Sequence, residues 1–223
     1  MATPVKIISM AVSALAILWS QGCVIHTEPP IPGSGVLALQ DRETKEFDEI
    51  EINCQAKVIV TIGEQPSVVV QTDDNLIDLI ETRVSRDTLR IDCDRNISPI
   101  NAVTITITTP SLTDLEIRGS ADVDIQGISE RSFDLTISGS GDVVAVGTVS
   151  KLEASIRGSG SMQLEGLIAQ DVEVSITGSG DAFVHAEDEL DARITGSGDI
   201  IFTGNPKRLE RHITGSGEIQ PKE

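Results

Sequence analysis

The chain has 223 residues, of which only 2% are aromatic, and it carries a formal net charge of −18. The sequence lacks the clustered lysines and arginines with which proteins bind nucleic acid or adhere to anionic membranes, so neither of these functions is expected. Because aromatic residues are scarce while Val and Ile are abundant, the core must be built from stacked aliphatic side chains, which favours repetitive β structure over a mixed α/β enzyme.

Residues 1–23 have the features of a bacterial export signal. A weakly positive start at Lys6 precedes an apolar run over residues 7–19 that is too short to span a membrane comfortably. The following SQGC at residues 20–23 resembles the lipobox of bacterial lipoproteins, in which the cysteine becomes the lipid-modified first residue. Its glycine fits that pattern, whereas its serine and glutamine depart from it. We therefore predict export and lipidation of Cys23, with cleavage nearby by the ordinary signal peptidase as the alternative.

The Pro- and Gly-rich segment 24–35 is predicted to be a tether between the anchor and the folded domain. Beyond it lie the other two cysteines, Cys54 and Cys93, each in an alternating strand pattern. Since an exported protein meets an oxidising compartment, we expect a disulfide between them, and two buried thiols are the alternative. A metal site is poorly supported, because none of the three histidines lies near either cysteine in sequence.

Residues 36–110 alternate apolar and polar side chains but lack the repeat that follows. Their runs with the period of two that is typical of strands cover residues 47–54, 58–62, 68–71, 88–93 and 103–108. Residues 74–80 are predicted to form one short capped helix. We expect this segment to be a β-rich cap on the N-terminal end of the repeat, sharing its apolar core.

From residue 111 to residue 219, the tripeptide Gly-Ser-Gly or a close relative recurs six times. Steps of 20, 19, 20, 18 and 19 residues separate its first glycines, which are Gly119, Gly139, Gly158, Gly178, Gly196 and Gly215. The residue two positions before each of them is always Ile, and apolar residues also recur six before, four after and six after. Apolar residues at even offsets on both sides of the glycine indicate two strands with a sharp bend between them.

Such a unit cannot bury its single apolar face alone, so the copies must stack with equivalent side chains about 4.8 Å apart. A repeat of this length suits one coil of a parallel β-helix, whereas a propeller blade needs about 40 residues and a meander of hairpins would destroy the Ile column. The predicted fold is therefore all-β: a parallel β-helix, expected to be right-handed, with coils of about 19 residues over residues 111–219 and a short tail at 220–223.

The repeated glycines are predicted to be structural turns, because a sharply bent coil needs positive φ or close approach of the next coil's backbone. The serines between them would stack as a ladder of hydroxyl groups. A serine nucleophile is the alternative reading, and six identical serines without a nearby histidine base oppose it. The sequence thus provides no catalytic residue and no sign of a cofactor.

An acidic residue follows most of the Gly-Ser-Gly copies. The members of this acidic column are Asp122, Asp142, Asp181, Asp199 and Glu218, and Ser161 interrupts it. Carboxylates at this spacing repel each other unless they are solvated or bridged. We expect each of them to close the turn through its own backbone hydrogen bonds, and the alternative is a row of weak Ca²⁺ sites.

The last coil differs from the others at the position four before its glycine, where Arg211 replaces an apolar residue. A charged final rung and the following Pro221 are typical of β edges that are protected from end-to-end pairing. A docking surface for another subunit is the alternative.

The order of short blocks across the chain resembles that of a known family. The blocks are FDEIEI at 47–52, VIVTIG at 58–63, VVV at 68–70, DNL at 74–76, LRI at 89–91, TPSL at 109–112, LEI at 115–117 and then the GSGD repeats. Over about residues 45–219, the chain looks like the putative auto-transporter adhesin, head GIN domain family of bacterial exported proteins. The resemblance implies a β-helical fold and a cell-envelope location, in the periplasm or at the outer membrane and cell surface, and it supplies no catalytic residues.

These features predict a non-enzymatic structural or binding module of the cell envelope. It would hold to the membrane through the lipid anchor and bind an unidentified protein or glycan, with self-association left open. A calcium-binding adhesive rod is one alternative. A polysaccharide-active β-helix enzyme is another alternative. Such enzymes need convergent carboxylates and aromatic side chains on which sugars stack. The single tryptophan, Trp19, lies in the export signal, so the mature chain would have none.

Overall fold

The computed structural model describes residues 29–93 and 95–222, so that the predicted export signal with Cys23 and residues 24–28 of the predicted tether lie outside the described residues. The first part of the chain forms short strands: β1 (Ile31–Pro32), β2 (Leu37–Arg42), β3 (Glu49–Asn53), β4 (Lys57–Ile62), β5 (Ser67–Asp73), β6 (Ile80–Ser85), β7 (Thr88–Cys93), β8 (Ile97–Ser98) and β9 (Thr104–Thr109). A single turn of 3-10 helix, Ile77–Leu79, stands where a short capped helix is predicted, and no side chain caps it.

The repeats form longer strands, because four of these strands continue without interruption from one Gly-Ser-Gly tripeptide to the next. They are β10 (Asp114–Gly119), β11 (Asp122–Gly139), β12 (Asp142–Gly158), β13 (Ser161–Gly178), β14 (Asp181–Gly196), β15 (Ile200–Gly204), β16 (Arg208–Gly215) and β17 (Ile219–Pro221). Within the described part of the chain, no helix is long and apolar enough to cross a membrane.

These strands stack in parallel as a β-solenoid of about five coils, which confirms the predicted fold class. Each coil has two faces that meet at the Gly-Ser-Gly corner. The front face consists of the strand segments before that corner, in the order β7-β3-β10-β11-β12-β13-β14-β16. The back face consists of the segments after it, in the order β9-β4-β11-β12-β13-β14-β15-β17.

The observed register is the one that the repeat predicts. Each first glycine pairs with the first glycine of the next coil, and each Ile two positions before it pairs with the next Ile. Unequal steps between the glycines are absorbed at the second corner of the coil, where register shifts occur, for example between Gln126 and Ile128. The even offsets therefore point inward in every coil.

One continuous cluster of aliphatic side chains forms the core of both the repeat and the cap. Ile50 and Ile52 of β3 are fully buried, as are Ile117 and Ile137 in the first coils of the repeat. The cap adds antiparallel strands to both faces: β6 pairs with β7, while β5 pairs with β9 and β2 pairs with β5. The N-terminal part thus continues the apolar core of the repeat and covers its N-terminal end.

The end of the predicted tether is attached to the domain. Strand β1 pairs in parallel with β8, with Ile31 opposite Ile97, and the backbone N–H of Gly33 donates to the carbonyl of Ser98 at 2.9 Å. The segment from residue 31 onward is therefore part of the cap rather than a spacer.

Candidate functional site

From the second Gly-Ser-Gly corner onward, at Gly139 and the four first glycines that follow it, the corners are too tight for any side chain at the first glycine. Gly158 has a φ of +139°, and a Cβ atom there would lie 2.1 Å from the carbonyl oxygen of Gly139 in the preceding coil. That same oxygen accepts a hydrogen bond of 2.9 Å from the backbone N–H of Ser159. The corner is closed by backbone contacts between coils, which supports a structural role for these glycines.

Three members of the acidic column accept backbone hydrogen bonds from the next coil. Asp142 accepts from the N–H of Ser161 at 2.9 Å, Asp181 from that of Asp199 at 2.9 Å, and Asp199 from that of Glu218 at 2.8 Å. Each of these bonds joins equivalent positions of neighbouring coils. These carboxylates therefore link successive coils, whereas the sequence analysis expects each of them to close its own turn, and calcium binding to the acidic column stays the alternative prediction.

A second row of acids, which the sequence analysis missed, runs along the front face from β3 to β16. Its seven members are paired rung by rung, and we call this row the carboxylate ladder: Glu49, Asp114, Asp134, Glu153, Glu173, Asp191 and Glu210. Six of them lie five positions before the repeated glycines, so the alignment on those glycines contains the signal. It is hidden in the sequence because Asp and Glu alternate irregularly.

Basic side chains form ion pairs with some members of the carboxylate ladder and neutralise part of its charge. Arg193 donates to Glu173 at 2.6 Å and also pairs with Asp191, and Lys151 pairs with Glu153. At the capped end, burial and the negative charges of Glu49, Asp134 and Glu116 raise the pKa of Asp114 to about 6.

The structure also brings together three potential metal ligands at the last rungs of the front face. Ligand atoms of Asp191, Glu210 and His212 lie within 4.8 Å of one another, and the buried Oδ1 of Asp191 accepts no hydrogen bond. The guanidinium groups of Arg193 and Arg208 pair with the two carboxylates. This group includes no member of the acidic column that the sequence analysis considered for Ca²⁺.

A cleft of about 730 Å³ opens where the cap meets the first Gly-Ser-Gly corner. Its lining consists of Asn53, Cys54, Gln55, Ala56, Lys57, Cys93, Arg95, Asn96, Ile97, Pro99, Ile100, Ala102, Val103, Ser120 and Asp122. The cleft exists because the chain leaves the stack between β7 and β9, where residues 95–103 stand in place of the short corner of the other coils. Amide, hydroxyl, thiol, cationic and aliphatic groups and one carboxylate thus converge on one recess.

A buried carboxylate fixes one wall of this cleft. Asp73 accepts hydrogen bonds from the backbone N–H groups of Ile100 at 2.7 Å, Asn101 at 3.2 Å and Gly35 at 3.0 Å, and from the side chain of Asn101 at 2.6 Å. Burial alone would raise the pKa of Asp73, but these hydrogen bonds outweigh it and hold the pKa below its usual value. The loop around Ile100 is therefore held in place from inside the cap.

The two cysteines of the predicted disulfide meet in this cleft. The structure holds Cys54 and Cys93 as thiols rather than as a disulfide, and their side chains are hydrogen-bonded to each other. Cys54 is buried and Cys93 is half-buried. The two cysteines for which the sequence analysis expects a disulfide thus both line the cleft, and the disulfide itself stays a prediction.

Comparison with known proteins identifies related sequences and structures. A family model described as "Putative auto-transporter adhesin, head GIN domain" matches residues 46–206. The chain is 26% identical to a putative adhesin of Bacteroides fragilis, with a TM-score of 0.72, covering 86% of this chain and 100% of that one. No curated protein matches the chain.

Two further solved structures share the fold. A putative lipid binding protein of Parabacteroides distasonis is 23% identical, with a TM-score of 0.59, covering 87% of this chain and 100% of that one. A putative adhesin of Parabacteroides merdae is 19% identical, with a TM-score of 0.60, covering 86% and 99%. At these identities the similarity establishes the β-solenoid alone.

Proposed function

Because the chain belongs to the putative auto-transporter adhesin, head GIN domain family, we propose that it is an adhesive module of the bacterial cell envelope that binds its partner without catalysing a reaction. Family and fold favour an exported, adhesin-like role over an enzymatic one. The cleft between the cap and the first corner is the observation that carries this proposal.

The lining of the cleft favours an acidic glycan as its ligand. Asn53, Gln55 and Asn96 supply side-chain amides that can both donate and accept hydrogen bonds, as sugar hydroxyls require. Lys57 and Arg95 place two cations in the cleft against the one carboxylate of its lining, Asp122, which pairs with Lys57 in the register of β4 and β11. The cleft thus carries an excess of positive groups in a chain whose net charge is −18. A glycan that carries carboxylates would be attracted to these cations and repelled by most of the remaining surface.

We further propose that Cys23 anchors the chain to a membrane through its lipid, as its lipobox-like surroundings suggest. Seven residues separate Cys23 from Ile31 of β1, and the eight steps from one Cα atom to the next span at most about 30 Å when extended. Since β1 pairs with β8, whose Ile97 lines the cleft, the cleft would stay within that distance of the anchor. The glycan would therefore belong to the envelope or be held close against it.

Binding of polysaccharides by the full chain in detergent micelles tests the ligand class. We expect biolayer interferometry to detect binding to a polyuronate and weaker binding to a neutral glucan. Lys57→Glu should reduce the affinity for the polyuronate by about tenfold, because it turns an attraction into a repulsion. Lys207→Glu is the matched control, since Lys207 is exposed at the far end of the stack and should leave binding unchanged.

Several outcomes would contradict the proposal. Absence of binding to all the polysaccharides, or equal losses in Lys57→Glu and Lys207→Glu, would remove the cleft as the glycan site. Shortening of the polyuronate during incubation, measured by size-exclusion chromatography, would contradict the non-enzymatic role. For the anchor, Cys23→Ser should abolish incorporation of radiolabelled palmitate in cells and release the protein from the membrane fraction, and unchanged labelling would refute lipidation.

A further inference from the structure

The two cysteines occupy the same column of the solenoid as the repeated glycines. Strands β3 and β7 pair in parallel with Asn53 opposite Asp92, so the next position places Cys54 beside Cys93. Strands β3 and β10 pair with Ile52 opposite Ile117, which places Cys54 beside Gly119 in the same way. The column of first glycines therefore continues upward into two cysteines on adjoining rungs.

The top of this column has room for side chains that the lower corners lack. A Cβ atom on Gly158 would collide with the backbone of the coil before it, whereas a Cβ atom on Gly119 would meet nothing within 4 Å. The corner is thus open directly below the cysteines, where the cleft begins. Two side chains can stack there without disturbing the coils beneath them.

The position of the two thiols suits a covalent bond between them. Neighbouring parallel strands lie about 4.8 Å apart, which falls within the Cα–Cα range of about 4.4–6.8 Å that disulfides require. The thiols are already in contact through a side-chain hydrogen bond. That bond, burial and the negative charges of Cys93 and Asp92 raise the pKa of Cys54, so the half-buried Cys93 is the thiol better placed to react first.

We propose that Cys54 and Cys93 are an oxidation site that forms an intramolecular disulfide by exchange with a small-molecule or protein disulfide. Cys93 loses its proton, and its thiolate attacks one sulfur of the oxidant, displacing the other sulfur as a thiolate. Cys54 then loses its proton and attacks the sulfur of Cys93 in the mixed disulfide, releasing the second thiolate. The chain gives up two electrons and two protons, and the oxidant becomes two thiols.

The bond would lock the cap to the solenoid at the cleft. It would join the last residue of β7 to the residue that follows β3, and β7 carries the edge strand β6. The constraint would oppose separation of these strands and hold Cys54 and Cys93, which both line the cleft, in one position. This inference is independent of the ligand that the cleft binds.

The test uses the full chain in detergent, incubated with oxidised glutathione or with dithiothreitol. We expect intact-mass measurement to show the loss of two hydrogen atoms after oxidation, and peptide mapping without reduction to find the peptides of Cys54 and Cys93 joined. The melting temperature should rise on the order of 5–10 °C on oxidation, because a disulfide that closes a loop of this length restricts the unfolded chain.

Variants make the result specific. In Cys54→Ser or Cys93→Ser, the thermal shift and the joined peptides should disappear, while Cys23→Ser should retain both. Stable glutathione adducts on Cys93 without the joined peptides, or a cross-link of either residue to Cys23, would overturn the proposal. Two thiols that still react with maleimide after oxidation in the folded Cys23→Ser variant would overturn it as well.

Discussion

The carboxylate of Asp181 accepts a 2.9 Å hydrogen bond from the backbone N–H of Asp199, the equivalent residue one coil later. We expect Asp181→Ala to lower the free energy of unfolding by about 1 kcal/mol, since it removes a hydrogen bond to a charged acceptor near the surface. The melting temperature, followed by far-UV circular dichroism, should fall by roughly 2–4 °C. Glu64→Ala, which removes an exposed acid outside the acidic column, should leave it unchanged.

The same bonds predict that the acidic column does not respond to calcium. Because the carboxylates of Asp142, Asp181 and Asp199 already accept backbone hydrogen bonds, millimolar CaCl₂ should give the same melting temperature as EDTA, with MgCl₂ as the control for ionic strength. A rise that is specific to Ca²⁺ and is lost in Asp181→Ala would instead favour the calcium-binding rod.

Substitution of two glycines separates backbone strain from steric collision. Gly119 and Gly158 have nearly the same φ, +135° and +139°, but only at Gly158 would a Cβ atom meet the carbonyl oxygen of the preceding coil. Gly119→Ala should cost about 1–3 kcal/mol of unfolding free energy, the usual penalty for that backbone region. Gly158→Ala should cost clearly more and lower the melting temperature further. Equal losses in the two variants would show that φ alone decides the cost.

The negative charge of Asp114 should lower the stability of the folded protein at neutral pH. The pKa of Asp114 is raised to about 6 in the folded state by burial and by neighbouring carboxylates, so ionisation above pH 6 opposes folding, and the penalty disappears as the pH falls toward the ordinary value of 3.8. Asp114 is half-buried, and after allowance for solvent screening we expect Asp114→Asn to gain about 1 kcal/mol at pH 7.5.

The pH dependence of that gain distinguishes its cause. Thermal unfolding at pH 7.5 and at pH 3.5 should show the stabilisation of Asp114→Asn at the first pH and its absence at the second. Glu64→Gln, an exposed acid away from the carboxylate ladder, should show no gain at either. If Asp114→Asn were no more stable than the parent at pH 7.5, repulsion along the ladder would be negligible.

Arg211 should keep the C-terminal end of the stack from associating. Its guanidinium lies 5.6 Å from the ring centroid of Phe202 and donates to the carbonyl of Ile219 at 3.2 Å. Arg211→Leu would create an apolar row with Leu209 and Ile213 on the edge strand β16, which favours pairing between chains. Sedimentation velocity should therefore show concentration-dependent association beyond that of the parent protein, which would be absent if Arg211 had no such role.

The matched control for this experiment lies on the same strand. Arg208 points to the outer surface, where it pairs with Glu189 and Glu210. Arg208→Leu also replaces a cation of β16 by leucine but leaves the inward-facing row intact. It should sediment like the parent protein, and association of both variants would mean that any loss of charge at this end suffices.

The solenoid could be predicted from the sequence because the repeat and the fold share one register. An alignment on Gly119 and Gly139 places Ile117 opposite Ile137, and the strands pair in that way. Each coil repeats the same apolar offsets, so the sequence shows the same requirement, burial of one apolar face, in several successive coils. The cap offers no such repetition, and its antiparallel pairs, such as Leu37 with Asp73, have no counterpart from which to infer them.

The cleft could not be predicted, although some of its parts could. The pairing of Cys54 with Cys93 follows from the oxidising compartment and from the fact that two cysteines remain after Cys23. Their place in the column of first glycines depends on the register of β3 and β7. Residues 95–103 have no periodic pattern, and the wall that they form depends on the hydrogen bonds of Asp73. The carboxylate ladder could have been predicted except for Glu49, because its other six members lie five positions before the repeated glycines.

Because equivalent residues lie in register through successive corners, the length of the molecule is set in whole coils. Removal or duplication of a segment such as residues 159–178, from one Gly-Ser-Gly corner to the next, would rejoin strands at the same register and would change the height of the stack by about 4.8 Å. The cap with its cleft and the Arg211 end would remain unchanged. The distance between the two ends of the protein is therefore a quantity that evolution or an engineer can adjust in discrete steps without redesigning either end.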